Sequence, residues 1–431
     1  MLKPEDNKLL TRVGPGTTMG ELLRRFWLPA LMEEEVHEND GAPVRLRLLG
    51  EDLMAFRDTE GRLGVLDAYC PHRRAHLYFG RNEEGGIRCV YHGWKFDVTG
   101  QCLDMPSEPS ETNFKDKVKT KSYSTAARGG IVWVYMGPDQ FKPELPDFEW
   151  ARLSKSRCEI TKRSQQCNWA QAVEGGIDSS HISYLHRNLA DLIPSKSGTG
   201  HRSYTSRDRS PKFTIKETDY GLLIGASRNA TKESFYWRIT QFLSPFWTMI
   251  PPILGEEVND SSQDTYAGHA FVPIDDENTW TWSFNCNPHR DFNEKEQALF
   301  HPRTGLWGPI DDSYRPVWNK ENDYGLDREM QKNVNYTGIK GIPNQDVAVQ
   351  ESMGPIADRS REMLGTSDKA IIAYRQLLID MAKDLQNGQE PKASSHGGYY
   401  NVRSASVLLK KDVPFDEGAA WLLSAKGPRK G

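Results

Sequence analysis

Several features of exported, membrane-bound and nucleic-acid-binding proteins are missing from this sequence. The N-terminus is charged from residue 3 onward and has no apolar segment of the kind that a secretory signal needs. No apolar run approaches the roughly 18 residues of a transmembrane helix. With 55 basic and 59 acidic residues, the net charge of −4 provides no cationic surface for a polyanion. These absences predict a cytoplasmic protein with no membrane or nucleic-acid partner.

Cysteine is also scarce, at six residues in 431, and a chain without a signal does not use so few cysteines as a disulfide framework. We therefore expect reduced thiols. Their distribution is uneven, because two cysteines and three of the eleven histidines fall within residues 70–96. That concentration of soft ligands indicates a metal site.

The length predicts two domains, since 431 residues exceed what one hydrophobic core usually supports. We expect a helical segment over 1–40, a β-rich domain over 41–145 and an α+β domain over 146–431. The second boundary lies within a proline-rich acidic stretch, PDQFKPELPDFEW, which is typical of a linker.

The first ligand group reads Cys70-x-His72, sixteen further residues, then Cys89-x-x-His92. Thiolates and imidazoles together suit Zn²⁺ or an iron–sulfur cluster. Here each short loop supplies one Cys and one His, which favours a Rieske [2Fe–2S] centre, where two Cys hold one iron and two His the other. A structural zinc site is the alternative. His76 is interpreted as a surface or supporting histidine.

A second group, Asp178, His181 and His186, forms the pattern D-x-x-H-x-x-x-x-H. The two histidines would lie about 140° apart on a regular helix, so both can face one ion only if the helix bulges or breaks. Two His and one carboxylate can hold Fe(II) with positions left open, whereas histidines at this spacing alone would be ordinary surface residues.

The carboxylate ligand is expected far along the chain, where QDVAVQESMGPIADRSREMLG offers Asp346, Glu351 and Asp358. Gly354-Pro355 interrupts the helix, which would place Asp358 in the first turn of a new one. The residues themselves do not decide between Glu351 and Asp358.

Both groups resemble motifs of the Rieske non-heme iron ring-hydroxylating oxygenases: C-P-H-R with C-x-Y-H-G-W-x-F-D-x-x-G, and E-G-x-x-D-x-x-H-x-x-x-x-H. The opening segment, MLKPEDNKLLTRVGPGTTMGELLRRFWLPA, resembles that of the oxygenases of the phthalate dioxygenase group. This resemblance implies an α+β protein, with an all-β Rieske domain before a helix-grip (START-like) catalytic domain. It also implies the following ligands: Cys70, His72, Cys89 and His92 for the [2Fe–2S] cluster, and His181, His186 and, from Q-E-S-x-G-x-I-x-D-R, Asp358 for a mononuclear Fe(II).

The resemblance further implies a catalytic role for Asp178. A carboxylate that accepts the far N–H of a ligand imidazole fixes its tautomer. In the family this aspartate bridges to a Rieske histidine of the neighbouring subunit, which would join His181 to His92 of another copy in a homotrimer or stacked hexamer. The sequence has no G-x-G-x-x-G after a strand and no plant-type ferredoxin spacing. Electrons from NAD(P)H are therefore expected through a separate reductase.

Aromatic carboxylates of the phthalate, isophthalate or substituted benzoate type are the implied substrates, oxidised with O₂ to cis-dihydrodiols. Arginine is favoured for binding a carboxylate in a cavity, and Arg207, Arg238 and Ser179 are the candidate contacts. One alternative is a monooxygenase or O-demethylase of a methoxylated aromatic acid. Another is a non-catalytic electron carrier or zinc-binding protein.

Overall fold

The computed structural model describes residues 2–189, 201–252 and 265–425, and its chain divides into two compact units. The cluster unit comprises Val13–Leu145 with Pro273–Asp275, and the cavity unit comprises Met1–Arg12, Pro146–Val272 and Asp276–Gly431. The two units divide between Leu145 and Pro146. The separate helical segment over 1–40 is corrected, because its first twelve residues belong to the cavity unit and the rest to the cluster unit.

The cluster unit contains one short α-helix, several 3-10 turns and two antiparallel sheets. Its six-stranded sheet has the order β1-β10-β9-β4-β3-β2, and its four-stranded sheet the order β5-β6-β7-β8. The elements, with the first helix of the chain, are α1 (Pro4–Thr11, in the cavity unit), α2 (Thr18–Leu23), β1 (Trp27–Met32), β2 (Val44–Leu48), β3 (Glu51–Arg57), β4 (Leu63–Asp67), β5 (Arg81–Glu83), β6 (Gly86–Arg88), β7 (Lys95–Phe96), β8 (Cys102–Asp104), β9 (Ser122–Arg128) and β10 (Ile131–Tyr135).

The core of this unit explains why the two cysteines of the first ligand group are buried. Inward-facing residues of β3, β4, β6 and β7 pack into one hydrophobic cluster that also includes Cys70, Cys89 and Trp94. Both cysteines are almost fully buried, at 1% and 3% exposure. The thiols therefore sit where water is excluded.

The cavity unit is α+β, with an eight-stranded antiparallel sheet in the order β11-β17-β16-β15-β14-β13-β12 and β18 paired to β14. The long helix α8 packs on β12 and β13, and α3 packs on β15 and α7. The elements are β11 (Cys158–Gln165), α3 (Trp169–Ile177), α4 (His201–Arg207), β12 (Lys212–Thr218), β13 (Gly221–Asn229), β14 (Ser234–Leu243), β15 (Trp247–Ile250), β16 (Tyr266–Pro273), β17 (Thr279–Cys286), α5 (Glu294–Phe300), α6 (Arg328–Asn333), α7 (Ile342–Ser352), α8 (Lys369–Gln386), β18 (Ala405–Lys410), α9 (Phe415–Gly418) and α10 (Ala420–Leu423). The predicted order of a β-rich domain before an α+β domain is confirmed. Among the described helices none has the length and apolarity to cross a bilayer.

A buried ion network anchors α3 within the cavity unit. The Glu174 carboxylate accepts hydrogen bonds from Arg359 at 2.9 Å and from Arg375 at 2.8 Å. Burial alone would raise the pKa of Glu174, but the two guanidinium groups outweigh it and lower the pKa. Arg359 is fully buried, and Glu174 supplies the counter-charge that a buried guanidinium needs.

Glu174→Gln is expected to reduce the free energy of unfolding by about 3–5 kcal/mol, because it leaves a buried guanidinium without its counter-charge. Chemical denaturation followed by circular dichroism measures the change. The matched control is Asp219→Asn, which removes the partner of Lys392 in an exposed ion pair and should cost no more than about 1 kcal/mol. Equal effects of the two substitutions would contradict a special role for the buried network.

Candidate metal centres and substrate cavity

The two loops of the first ligand group have the same backbone conformation. In the first, Cys70 N donates to Ala75 O at 2.8 Å, and Arg74 N donates to Cys70 O at 2.9 Å. In the second, Cys89 N donates to Trp94 O at 2.8 Å, and Gly93 N donates to Cys89 O at 2.9 Å. The fourth residue after each cysteine has a positive φ, 60° at Arg74 and 79° at Gly93. Each loop therefore folds back on its cysteine in the same way.

These loops bring all four predicted ligands of the first group together. The Cys70 thiol hydrogen-bonds to Cys89, which lowers the pKa of Cys89 to about 6 and raises that of Cys70. The rings of His72 and His92 lie 4.4 Å apart, and Nδ1 of His92 is buried without a hydrogen-bond partner among the described residues. A buried polar atom needs a partner, and a metal would satisfy this one. Two thiols and two imidazoles fit a Rieske [2Fe–2S] cluster.

Neighbouring aromatic residues support the loops without joining the ligand set. Trp94 stacks on His72, with ring centroids 4.4 Å apart and planes at 10°. His76 accepts a hydrogen bond from Tyr78 N at its Nδ1 and packs edge-on against Tyr69. Its supporting role is the one that the sequence suggests.

The second ligand group forms because α3 ends before either histidine. The helix stops at Ile177, and Asp178 has extended backbone angles of −80° and 122°. Its carboxylate accepts from Ser180 N at 2.6 Å, and a single 3-10 turn over His181–Ser183 follows. Because neither histidine lies on a regular helix, their spacing does not prevent both from facing one ion. Their Nε2 atoms lie 3.1 Å apart.

The carboxylate that the structure adds to these histidines is Asp346, in the second turn of α7. Its Oδ1 lies 3.6 Å from His181 Nε2 and 3.4 Å from His186 Nε2, and the ligand atoms of the three residues are all within 4.8 Å of one another. Burial disfavours a charged His181, but Asp178 and Asp346 outweigh it and raise the pKa of the imidazole. Such a negative environment suits a cation.

Asp358 does not reach this group, which corrects the sequence expectation. The chain does not restart a helix after Pro355, and the next α-helix begins at Lys369. Arg359 turns inward to Glu174, so its neighbour Asp358 is exposed and accepts hydrogen bonds from the backbone and hydroxyl of Ser360 instead. Glu351 is also occupied elsewhere, accepting from Gln166 N and the Tyr324 hydroxyl.

The Nδ1 atoms of both histidines have oxygen partners, which leaves Nε2 available on each ring. His181 Nδ1 lies 3.3 Å from Asp178 Oδ2, and His186 Nδ1 lies 2.9 Å from Gln345 Oε1. Two imidazole nitrogens and one carboxylate are the donor set of a non-heme Fe(II) centre with open positions. The residues therefore fit a mononuclear iron, with Asp346 in the place expected of Asp358.

This group opens into a cavity of about 1130 Å³ within the cavity unit. Its wall is mainly apolar, with residues from the 3-10 turn, the sheet, the loop after α5 and α7, including Ile182, Ala267, Phe271, Leu306, Trp307 and Val347. An apolar cavity beside a metal group is a typical setting for an aromatic ligand.

Of the three predicted substrate contacts, the structure places two in this cavity. Arg238 lines it and is 5% exposed, donating to Pro251 O at 3.2 Å and contacting His201 Nδ1 at 3.2 Å. Ser179 also lines it and is buried. Arg207 is corrected: it is an exposed residue at the end of α4, with its guanidinium over the Tyr204 ring, and does not line the cavity.

Two further polar residues of the cavity region escaped the sequence analysis. His269 lines the cavity, has Nδ1 2.8 Å from Ser283 Oγ, and is kept neutral near pH 7 because burial lowers its pKa to about 4. Arg228 is fully buried and donates to Ser179 O at 2.6 Å, which fixes that segment. A polar residue inside an apolar strand pattern, as in YAGHAFVP, is the available signal for His269.

A two-thiol, two-imidazole cluster site in one unit and a two-histidine, one-carboxylate group beside a cavity in the other define the class, an iron-dependent redox enzyme. Comparison with known proteins identifies the family. The Rieske [2Fe-2S] domain model matches residues 26–123, and the model described as LigXa C-terminal domain like matches residues 134–419.

The chain is 43% identical to the phthalate 4,5-dioxygenase oxygenase subunit of Pseudomonas putida, over 98% of this chain and 97% of that one. It is 34% identical to the 5,5'-dehydrodivanillate O-demethylase oxygenase subunit of Sphingobium sp. strain SYK-6, over 99% and 91%. A solved complex between the oxygenase and ferredoxin of carbazole 1,9a-dioxygenase shares the fold, with a TM-score of 0.55, 20% identity, and coverage of 91% of this chain and 96% of that one. The chain therefore belongs to the Rieske non-heme iron oxygenases, in the phthalate dioxygenase group, and is an oxidoreductase.

Proposed function

We propose that this chain is the oxygenase component of an aromatic-ring dioxygenase that converts an aromatic carboxylate to a cis-dihydrodiol, using O₂ and electrons from a separate NAD(P)H-dependent reductase. The phthalate, isophthalate and substituted benzoate types are the substrates that we favour. The observation that carries this substrate class is the charge of Arg238. No described residue supplies a carboxylate to it, and its Nε is buried without a hydrogen-bond partner among the described residues. A buried guanidinium without a counter-ion is costly, and a substrate carboxylate would remove that cost.

The cofactors and the residues of the chain divide the work between them. The cluster held by Cys70, His72, Cys89 and His92 would supply electrons, and an iron held by His181, His186 and Asp346 would supply O₂ activation. Arg238 would hold the carboxylate through a paired hydrogen bond, and the apolar wall would keep the ring against the metal group and exclude water.

The same scaffold supports a second candidate reaction. The O-demethylase relative covers nearly the whole chain, so a methoxylated aromatic acid is the alternative substrate. The products distinguish the two reactions, since dioxygenation yields a cis-dihydrodiol whereas demethylation yields a phenol and formaldehyde.

Substrate-dependent O₂ uptake tests the proposal. The purified protein is supplied with a surrogate reductase, NADH and one of phthalate, isophthalate, benzoate, 4-methoxybenzoate or uncharged benzamide. We expect O₂ consumption and product with at least one carboxylate and none with benzamide. Uptake with benzamide equal to that with the acids would contradict a carboxylate substrate while leaving the oxygenase assignment intact.

Arg238→Gln is expected to lower kcat/KM for the accepted acid about 10- to 100-fold, because a hydrogen bond to a charged group contributes about 1.5–3 kcal/mol. Steady-state O₂ uptake measures the change. Arg207→Gln, on the exposed face, is the control and should leave kcat/KM unchanged. A loss with both variants, or with neither, would show that Arg238 does not bind the carboxylate.

Oligomeric assembly is part of the proposal, as a head-to-tail homotrimer. Exposed apolar residues surround the ligands in each unit: Val90 and Tyr91, at 60% and 53% exposure, precede His92 in the cluster unit. In the cavity unit, Tyr184 and Tyr336 are 47% and 49% exposed beside the histidine segment. Both patches are of the kind that a second copy covers, and burying one against the other would bring the cluster of one copy to the cavity of the next.

A further inference from the structure

The partner of His186 has a fixed orientation. Gln345 is 5% exposed, and its side chain touches His186 with one end and the backbone carbonyl of Ile339 with the other. The Ile339 carbonyl can only accept, so the amide nitrogen of Gln345 must lie on that side, at 3.0 Å. The Gln345 carbonyl oxygen is therefore the atom that faces His186 Nδ1, at 2.9 Å.

This orientation determines which nitrogen of His186 carries the proton. A carbonyl oxygen accepts but cannot donate, so Nδ1 of His186 must be the protonated nitrogen. The lone pair is then on Nε2, which points toward His181 Nε2 and Asp346 Oδ1. We propose that Gln345 is a positioning residue that holds His186 in the tautomer and ring orientation required to bind a metal through Nε2.

Gln345 and Asp178 act on the two histidines with different charges. Asp178 presents a carboxylate to His181, whereas Gln345 presents a neutral amide to His186. The proposal makes α7 responsible for two parts of the metal group, because Gln345 and Asp346 are consecutive residues of that helix. It rests on the mononuclear metal site of the proposed function but not on the identity of the aromatic acid.

Metal binding tests the proposal directly. The mononuclear metal is removed from the full-length protein with a chelator, and Fe²⁺ is titrated back while the cluster absorption serves as an internal control. Gln345→Leu is expected to weaken Fe²⁺ binding about 10- to 100-fold, the usual effect of losing a partner that orients a ligand. Co²⁺ in place of Fe²⁺ reports the geometry, and its visible bands should change.

The matched control is Gln350→Leu, a buried glutamine on the same helix whose side chain accepts a hydrogen bond from Gln165 rather than from a histidine. It should keep wild-type Fe²⁺ affinity and Co²⁺ bands. Equal Fe²⁺ affinity and equal bands in Gln345→Leu and Gln350→Leu would overturn the proposal. Failure of the wild-type protein itself to bind Fe²⁺ would instead contradict the mononuclear site.

A second variant decides the question if Gln345→Leu does not fold. Gln345→Glu keeps an acceptor for the Nδ1 proton and gives up the bond to Ile339, so Fe²⁺ should still bind. The added negative charge should make Nε2 of His186 a stronger electron donor to the metal and therefore shift the Co²⁺ bands. Bands identical to those of the wild type would show that this side chain does not act on His186.

Discussion

Replacing Asp346 with asparagine is expected to remove the mononuclear metal and abolish turnover. The substitution keeps the size of the side chain but removes the negative charge that faces both Nε2 atoms, at 3.6 and 3.4 Å. Loss of a ligand should weaken Fe²⁺ binding by more than about 100-fold, beyond the usual effect of losing a supporting partner. Iron analysis should find only the iron of the cluster, whose visible absorption should not change.

Asp358→Asn is the informative control, because the two aspartates lie in the same stretch of sequence but only one meets the histidines. Asp358 bonds to Ser360 at the surface, so its substitution should leave both the iron content and the rate of O₂ uptake unchanged. Loss of iron from Asp358→Asn with retention in Asp346→Asn would reverse the assignment made from the structure.

The difference between these aspartates shows where sequence reasoning reaches its limit. Asp346, Glu351 and Asp358 all lie more than 150 residues beyond the histidines. In the sequence, each has a helical position from which it could bind the metal. What separates them is tertiary: Arg359 is drawn inward by Glu174, which is held on α3, and Asp358 consequently faces solvent. No local pattern contains that pairing.

The first ligand group was predictable because its geometry is local. Each Cys–His pair lies in one short loop, and the fold-back of each loop depends on hydrogen bonds within six residues. The positive φ at Gly93 is a visible signal in the sequence, whereas the same conformation at Arg74 is not. The two loops follow strands of different sheets, β4 and β6, and they meet because both sheets contribute to the one hydrophobic cluster that contains Cys70 and Cys89.

The N-terminal segment shows the opposite case. The sequence analysis groups α1 and α2 into one helical segment, yet α1 joins the cavity unit, where Asn7 contacts Arg359 and Ala357. Those partners lie about 350 positions away in the chain. Gln345 and His269 were likewise unpredictable, since their roles depend on what the sheet and α7 place opposite them.

Asp178→Asn is expected to retain both metals and yet slow turnover about 100-fold, the upper end of what an orienting partner contributes. Asparagine can still accept from Ser180 N, so the turn that delivers His181 should persist. It removes the charge that Asp178 Oδ2 presents to His181 Nδ1 at 3.3 Å. In the proposed trimer the same carboxylate would also contact His92 of the next copy, so loss of its charge would interrupt the path between the cluster and the mononuclear iron.

The rate at which the reduced cluster is reoxidised by O₂ and substrate separates these two roles of Asp178. If it joins the centres, reoxidation in Asp178→Asn should slow as much as product formation, with iron content unchanged. Asp311→Asn is the control, because Asp311 accepts from Ser313 N in a similar turn far along the chain and should have neither effect. Loss of iron with rapid reoxidation would limit Asp178 to holding His181, and the contact between copies would then have no part in electron transfer.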